Sequence, residues 1–261
     1  MRFAALEELG RAAILLTAEF GRLASFAARV VRSTVTRPLR IGSFIDELYK
    51  LGVLSVLLIC VSGLAVGMVL ALQGYKSLVR FGAEQSLGAL VGLSLVRELG
   101  PVLTALLVTG RAGSSVAAEI GSMVATEQLD GLRMMSIEPI GFVVRPKALA
   151  MLVVMPMLTA LFIVSGLAGA YFVGVKRMGV DGGWFVSGFR SAVDFHDDVL
   201  QALVKSLAFG ALAGLIATYR GFTSAPTSEG VSAATTSTVV VGSVSLLVLD
   251  YALTALWGVG R

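Results

Sequence analysis

The sequence is poor in the residues on which soluble enzymes and secreted scaffolds depend. A single cysteine, Cys60, in 261 residues excludes an intramolecular disulfide framework; it sits in an apolar run, where a small packed side chain is its expected role. The one histidine, His196, stands in the segment DFHDD among Asp194, Asp197 and Asp198. No histidine is therefore left inside an apolar segment to activate a serine for intramembrane proteolysis. No metal site is expected either, because one His and a few carboxylates make an incomplete ligand set. Nowhere does a G-x-x-x-x-G-K-[ST] loop occur to cradle a nucleotide phosphate. Energy for any work must come from a partner or an ion gradient.

Charged residues are also scarce, at 15%, while hydrophobic residues reach 56% and the mean hydropathy is +0.86. That balance lies outside the range of soluble domains and predicts an all-α integral membrane protein. The net charge of +4 is spread beside apolar runs, which points to anionic lipid headgroups rather than nucleic acid as its counterpart. Five apolar segments are long enough to cross a hydrocarbon core of about 30 Å: residues 51–72, 87–110, 148–175, 199–219 and 238–259. Residues 1–47 read as an interfacial region and 48–261 as one membrane domain. Glu7, Glu8, Glu19 and several arginines interrupt any continuous apolar core before residue 51, so no cleaved signal is expected.

Lys and Arg number eight, two, four, three, one and one in the successive non-spanning segments, which puts thirteen on the side of the N-terminus and six on the other. The excess places the N-terminus in the cytoplasm and the C-terminus outside. Arg111 to Lys147 then forms the major cytoplasmic loop and Lys176 to Asp198 an external one. Between Phe3 and Arg32, Arg11, Arg22 and Arg29 recur at spacings that share one helical face among apolar residues. This describes an amphipathic helix at the inner interface with its arginines toward headgroups, or a helix packed along the bundle.

The second span contains Arg97 and Glu98, and an Arg and an acid at mid-span each cost about 2.5–3.5 kcal/mol on the insertion scale. Its twelve Leu and Val return about 0.3–0.6 kcal/mol each, so the span is marginal unless both charges face protein or a water-containing cavity. Adjacent helical residues point about 100° apart and need different partners. Lys205 and Asp250, inside the fourth and fifth spans, are the candidate counter-charges. Pro101 lacks an N–H and leaves the Arg97 carbonyl without its helical donor, and Pro156 does the same to Leu152. GxxxG spacings at Gly63/Gly67 and Gly210/Gly214 permit close helix contact. The four intramembrane charges define a functional site or only hold the bundle together. If functional, a proton-coupled secondary transporter using Glu98 or Asp250 is one reading. The loop itself suggests an amphipathic helix around Val116 to Met135, offering Met and acidic side chains to a partner or resting on its own bundle.

Three blocks carry a resemblance: LGVLSVLLICVSGLAVGMVLALQGY, then SLGALVGLSLVRELGPVLTALLVTGRAGSSVAAEIGSMVATEQLDGLRMMSIEP, then APTSEGVSAATTSTVV with LDYALTAL. In these the chain resembles the MlaE (YrbE-type) permeases associated with MCE-domain lipid carriers, over nearly its whole length. The resemblance implies a homodimeric permease core in a bacterial inner membrane, carrying two cytoplasmic ABC ATPases that bind the ATP and Mg. It also implies a small STAS-type accessory protein and a periplasmic MCE hexamer. Phospholipid would pass between the inner and outer membranes and so maintain outer-membrane asymmetry. Glu119 to Pro139 would be the ATPase-coupling helix, with Glu119, Gly121, Met123, Glu127, Met134 and Met135 as its contact residues. Lipid would lie near Leu70, Ser77, Phe81, Arg97, Glu98 and Leu99.

The orientation has a direct test in a chain whose Cys60 is replaced by Ala. A membrane-impermeant thiol reagent should label Ser187→Cys from the external side and leave Asp130→Cys unlabelled until the membrane is opened; the reverse pattern would invert the topology.

Overall fold

The computed structural model describes the backbone of residues 2–36, 40–194 and 196–259, and the side chains of residue 14 and of residues 17–257 within those ranges. The described residues form helices and turns without a strand. A 35-residue helix, α1 (Arg2–Thr36), comes first. Five helices long and apolar enough to cross a membrane follow: α2 (Ile41–Phe81), α3 (Glu84–Ala125), α5 (Ile140–Arg177), α7 (Asp197–Phe222) and α8 (Ser228–Val259). Two short helices lie between spans, α4 (Gln128–Met134) and α6 (Gly182–Ala192). The connections are short, so successive spans run antiparallel. This puts α1 and α4 at one end of the bundle and α6 at the other. The turn between α2 and α3 uses Gly82 at φ 64°, a left-handed conformation that suits glycine.

The spans are longer than their apolar cores because π-helical turns, rather than breaks, occur where the chain carries charge or glycine: Tyr49–Val53, Leu95–Leu99, Thr109–Gly113, Ile140–Val144 and Phe172–Arg177. A π turn inserts one residue and rotates the following side chains without ending the helix. Two expectations are corrected here. The segment after Arg111 is not a loop, since α3 continues to Ala125; Arg111 sits in a π turn and donates from Nη1 to Ser55 Oγ at 2.6 Å. A single helix over Val116 to Met135 is likewise replaced by two, because the chain breaks at Glu127 in the left-handed region, φ 57°. The external segment contains α6, which starts where Asp181 caps it by accepting the Trp184 N–H at 2.9 Å.

Glycine sets the packing of α2, α5 and α7. A Cβ on Gly67 would collide with the Gly166 carbonyl, and one on Gly63 would meet Ser165 and the Phe162 backbone. Nearer the start of α5, Gly210 and Gly214 lie against Met151 and Ala148. Both GxxxG spacings are therefore helix contacts, where backbones approach closely in the way small residues allow in lipid. Pro156 is held inside the continuous α5 helix, and Cys60 is half-buried on α2. The second half of α1 docks on the bundle through buried Phe26 and Val30. The Phe26 ring stands 5.4 Å from Tyr219 and 5.6 Å from Phe222.

Two glycine substitutions should therefore have opposite signs. Gly67→Val should lower the thermal stability of the detergent-purified protein, by about 1–3 kcal/mol or more, because its obstacle is backbone. Gly42→Ala, where a Cβ meets nothing within 4 Å, should raise it by about 1 kcal/mol through helix propensity. Equal melting of the two variants would refute the close approach of α2 and α5.

Candidate functional site

Three spans bring their charged side chains to one place. In α3, Arg97 and Glu98 lie in the π turn Leu95–Leu99, directly before Pro101. On α7, Asp198 and Lys205 are seven residues apart and share a face two turns in length. On α8, Asp250 and Thr254 are one turn apart. Lys205 is buried, and its Nζ donates to Glu98 Oε2 at 2.7 Å and to the Arg97 carbonyl at 3.1 Å. That carbonyl is the acceptor which Pro101 leaves without an intrahelical donor, so the ammonium serves as a replacement. Lys205 Nζ is also 3.0 Å from Asp250 Oδ1, but Oδ1 has no hydrogen-bond partner among the described residues. We read that contact as coulombic attraction off the hydrogen-bond direction. Thr254 Oγ1 completes the group at 3.4 Å from both Glu98 oxygens.

Arg97 turns the other way, as the 100° between neighbouring residues requires. Its Nε donates to Asp198 Oδ1 at 2.8 Å, and Asp198 Oδ2 accepts the Asp194 N–H at 2.8 Å. Asp198 is 1% exposed, which corrects its placement at the end of an external loop. His196 lies just before α7, with its N–H bonded to Asp194 Oδ1 at 2.9 Å. Among the described residues, no three His, Cys, Asp or Glu side chains are grouped as metal ligands would be. The side chains of Arg97 and Glu98 are themselves 37% and 40% exposed. The site is thus buried and ion-paired on one flank and open on the other, a combination suited to holding a polar group within an apolar surround.

A family model described as Permease MlaE matches residues 44–256. The chain belongs to the MlaE permease family. It is 50% identical over 212 residues to the intermembrane phospholipid transport system permease protein MlaE of Haemophilus influenzae, covering 81% of each chain. A probable ABC transporter permease protein of Rickettsia bellii is 37% identical over 95% of this chain and 96% of its own. The chloroplastic protein trigalactosyldiacylglycerol 1 of Arabidopsis thaliana is 29% identical over 88% of this chain and 65% of its own.

Within this MlaE-family chain, the residues expected near lipid are not all adjacent. Leu70 and Leu99 are half-buried against the shared core. Ser77 and Phe81 lie about 10 and 16 Å beyond Leu70 along α2, with the Ser77 hydroxyl donating to the Gln73 carbonyl at 3.1 Å and Phe81 84% exposed. The residues expected to couple also separate. Glu119, Gly121 and Met123 belong to the end of α3, not to a loop helix. Glu119 and Glu47 both pair with the buried Lys147 Nζ, at 2.7 and 2.6 Å, and each lies 4.0 Å from Lys50 Nζ. Gly121 is packed against Ser224 and Val231. Only Glu127, Met134 and Met135 belong to the α4 region, where Met134 is 87% exposed. Arg22 and Arg29 are exposed on α1, Arg22 paired with Glu19 at 2.6 Å; the Arg11 side chain lies outside the described residues.

Lys205→Met should destabilise the protein by about 3–5 kcal/mol, because it strands Glu98 and Asp250 beside each other and leaves the Arg97 carbonyl without a donor. Asp198→Ala should act similarly by unpairing Arg97. Melting of the purified variants checks this, and unchanged melting of both would show that the cluster does not hold the bundle together.

Proposed function

We propose that this chain is the permease subunit of an ABC-type phospholipid transporter. It passes lipid between the inner membrane and a periplasmic MCE hexamer and so maintains outer-membrane asymmetry. The observation that carries the reading is the half-open charged site on α3, α7 and α8, in a family whose Haemophilus influenzae relative is named for intermembrane phospholipid transport. Arg97 and Glu98 offer charge to a headgroup, and Leu70 and Leu99 offer apolar surface to acyl chains. The chain sits in the inner membrane with its N-terminus cytoplasmic and its C-terminus periplasmic.

In this reading two copies pair along α8, which presents Val240, Val244, Leu247, Val248, Tyr251 and Leu256 outward. Asp250 and Thr254 lie on the same helix, so a second copy there would enclose the open flank of the charged site. A cytoplasmic ABC ATPase binds ATP and Mg and grips α4 through Met134 and Met135, adaptable side chains suited to a groove, and a STAS-type protein sits on that ATPase. The left-handed residues Glu127 and Ser136 on either side of α4 make it a discrete element through which the ATPase stroke reaches α3 and α5. ATP drive is favoured over proton coupling because the Rickettsia bellii relative is named an ABC transporter permease.

The test is purification from the native membrane in mild detergent, followed by identification of co-purifying proteins and by lipid transfer in vesicles. An ATPase and an MCE protein should accompany the chain in comparable amounts, and transfer should require ATP. Met134→Glu combined with Met135→Glu should release the ATPase while leaving the fold intact. Glu98→Ala, which leaves Lys205 paired with Asp250, should cut transfer by at least tenfold, about 1.4 kcal/mol, with the complex still assembled. Transfer that persists without ATP and stops when the proton gradient collapses would replace this reading with a proton-coupled transporter.

A further inference from the structure

The glycines that draw α7 onto α5 act near the start of α5; toward the α6 end of the bundle the same two helices leave a groove of about 530 Å³. Ala160, Ile163 and Val164 of α5, Val199 and Ala202 of α7 and Val96 of α3 line it. Among the described residues none of α8, the helix of the proposed pairing face, contributes to the lining. The short helix α6 forms the rim. It is seated on α3, where a Cβ on Gly88 would run into the Phe185 carbonyl and one on Gly92 into the Phe189 ring. Exposed Trp184 on α6 marks the depth of the headgroups, where tryptophan is enriched in membrane proteins. Arg190, in the last turn of α6, also lines the groove. Among the described residues no carboxylate or carbonyl pairs with it: Asp194 Oδ1 accepts the His196 N–H, and Asp198 is held by Arg97.

An apolar slot at the depth of acyl chains thus meets an unpaired cation at the depth of headgroups. We infer that the groove holds a resident phospholipid of the leaflet at the α6 end, with one acyl chain in the slot and the phosphate on Arg190. The Arg190 stem lies along apolar surface while its guanidinium stays at the interface, where a phosphate oxygen supplies charge-assisted hydrogen bonds. An acyl chain in the slot touches three helices at once and gains more dispersion contacts than on a convex helix surface. The charged site is separate. Arg97 and Glu98 turn to Asp198 and Lys205, whereas Val96, their neighbour in the chain, lines the groove. A lipid held here fills the gap between α5 and α7 and is a component of the fold rather than cargo. Diacylglycerol has the same acyl chains and lacks the phosphate, so it would fill the slot and leave Arg190 unanswered.

The experiment places a photo-crosslinking amino acid at Val164 in the full-length chain, reconstituted in vesicles that contain phosphatidylethanolamine and diacylglycerol of identical acyl chains in equal amounts. Met157 is the comparison position, exposed two turns away on the same face of α5 and outside the groove. The ratio of phospholipid to diacylglycerol adducts at 164 should exceed that at 157 about tenfold, the order expected for one charge-assisted hydrogen bond. Arg190→Gln, at an exposed position, should bring the ratio at 164 down to that at 157. Equal ratios in the unaltered chain would make the groove ordinary bilayer-facing surface and overturn the inference. An excess that survives Arg190→Gln would take the phosphate off this residue and overturn it as well. A peptide adduct at 164 in native membranes, in place of lipid, would assign the groove to a partner's helix and overturn it too. Each of these results leaves the transport reading standing, because that reading rests on the charged site.

Discussion

One buried ammonium organises the membrane-embedded part of this protein. Lys205 is the point where α7 meets α3 and α8, and it meets three demands at once: the Glu98 carboxylate, the Asp250 carboxylate and the carbonyl that Pro101 disconnects from its helix. Each of those groups would be costly alone in hydrocarbon. Together they let a span containing an adjacent Arg and Glu exist in a bilayer. The π turn at Leu95–Leu99 belongs to the same solution, because it adjusts where Arg97 and Glu98 point without ending the helix.

A second charged node lies at the opposite end of the bundle, where Lys147 joins Glu47 and Glu119 and so ties the starts of α2 and α5 to the end of α3. Between the two nodes the contacts are of another kind: glycines on α2 and α7 let those helices press against α5. The bundle is thus fastened by ion pairs at two levels and packed backbone to backbone between them. From the Lys147 node, α3 and α5 both run on to the level of the charged site.

Much of this architecture is legible in the sequence. The five spans stand out because an uncharged or nearly uncharged run of about twenty apolar residues matches the thickness of a bilayer and exceeds what a soluble core helix needs. The unusual content of the second span marks Arg97, Glu98, Lys205 and Asp250 as a set. Asp198 escapes notice because the apolar run of α7 begins only at Val199; counting back seven residues from Lys205 finds it on the same face. The extension of α3 is hidden because Arg111 looks like the end of a span, whereas a long side chain that reaches Ser55 lets the helix continue. Lys147 and Glu47 flank apolar runs and resemble interfacial charges, and only tertiary contact distinguishes such a charge from a buried one. The α6 helix is hidden because its fit depends on glycines of another element, with Gly88 pressed against the Phe185 carbonyl.

The central claim is that the open flank of the charged site holds phospholipid during ATP-driven transport. It is tested most directly by placing a photo-crosslinking amino acid at Leu99, beside Glu98, and at Val31, an exposed position on α1, then illuminating native membranes with and without ATP. The account predicts phospholipid adducts at both positions, with the yield at 99 changing on ATP hydrolysis and the yield at 31 constant. No adduct at 99, or the same ATP response at both positions, would contradict it.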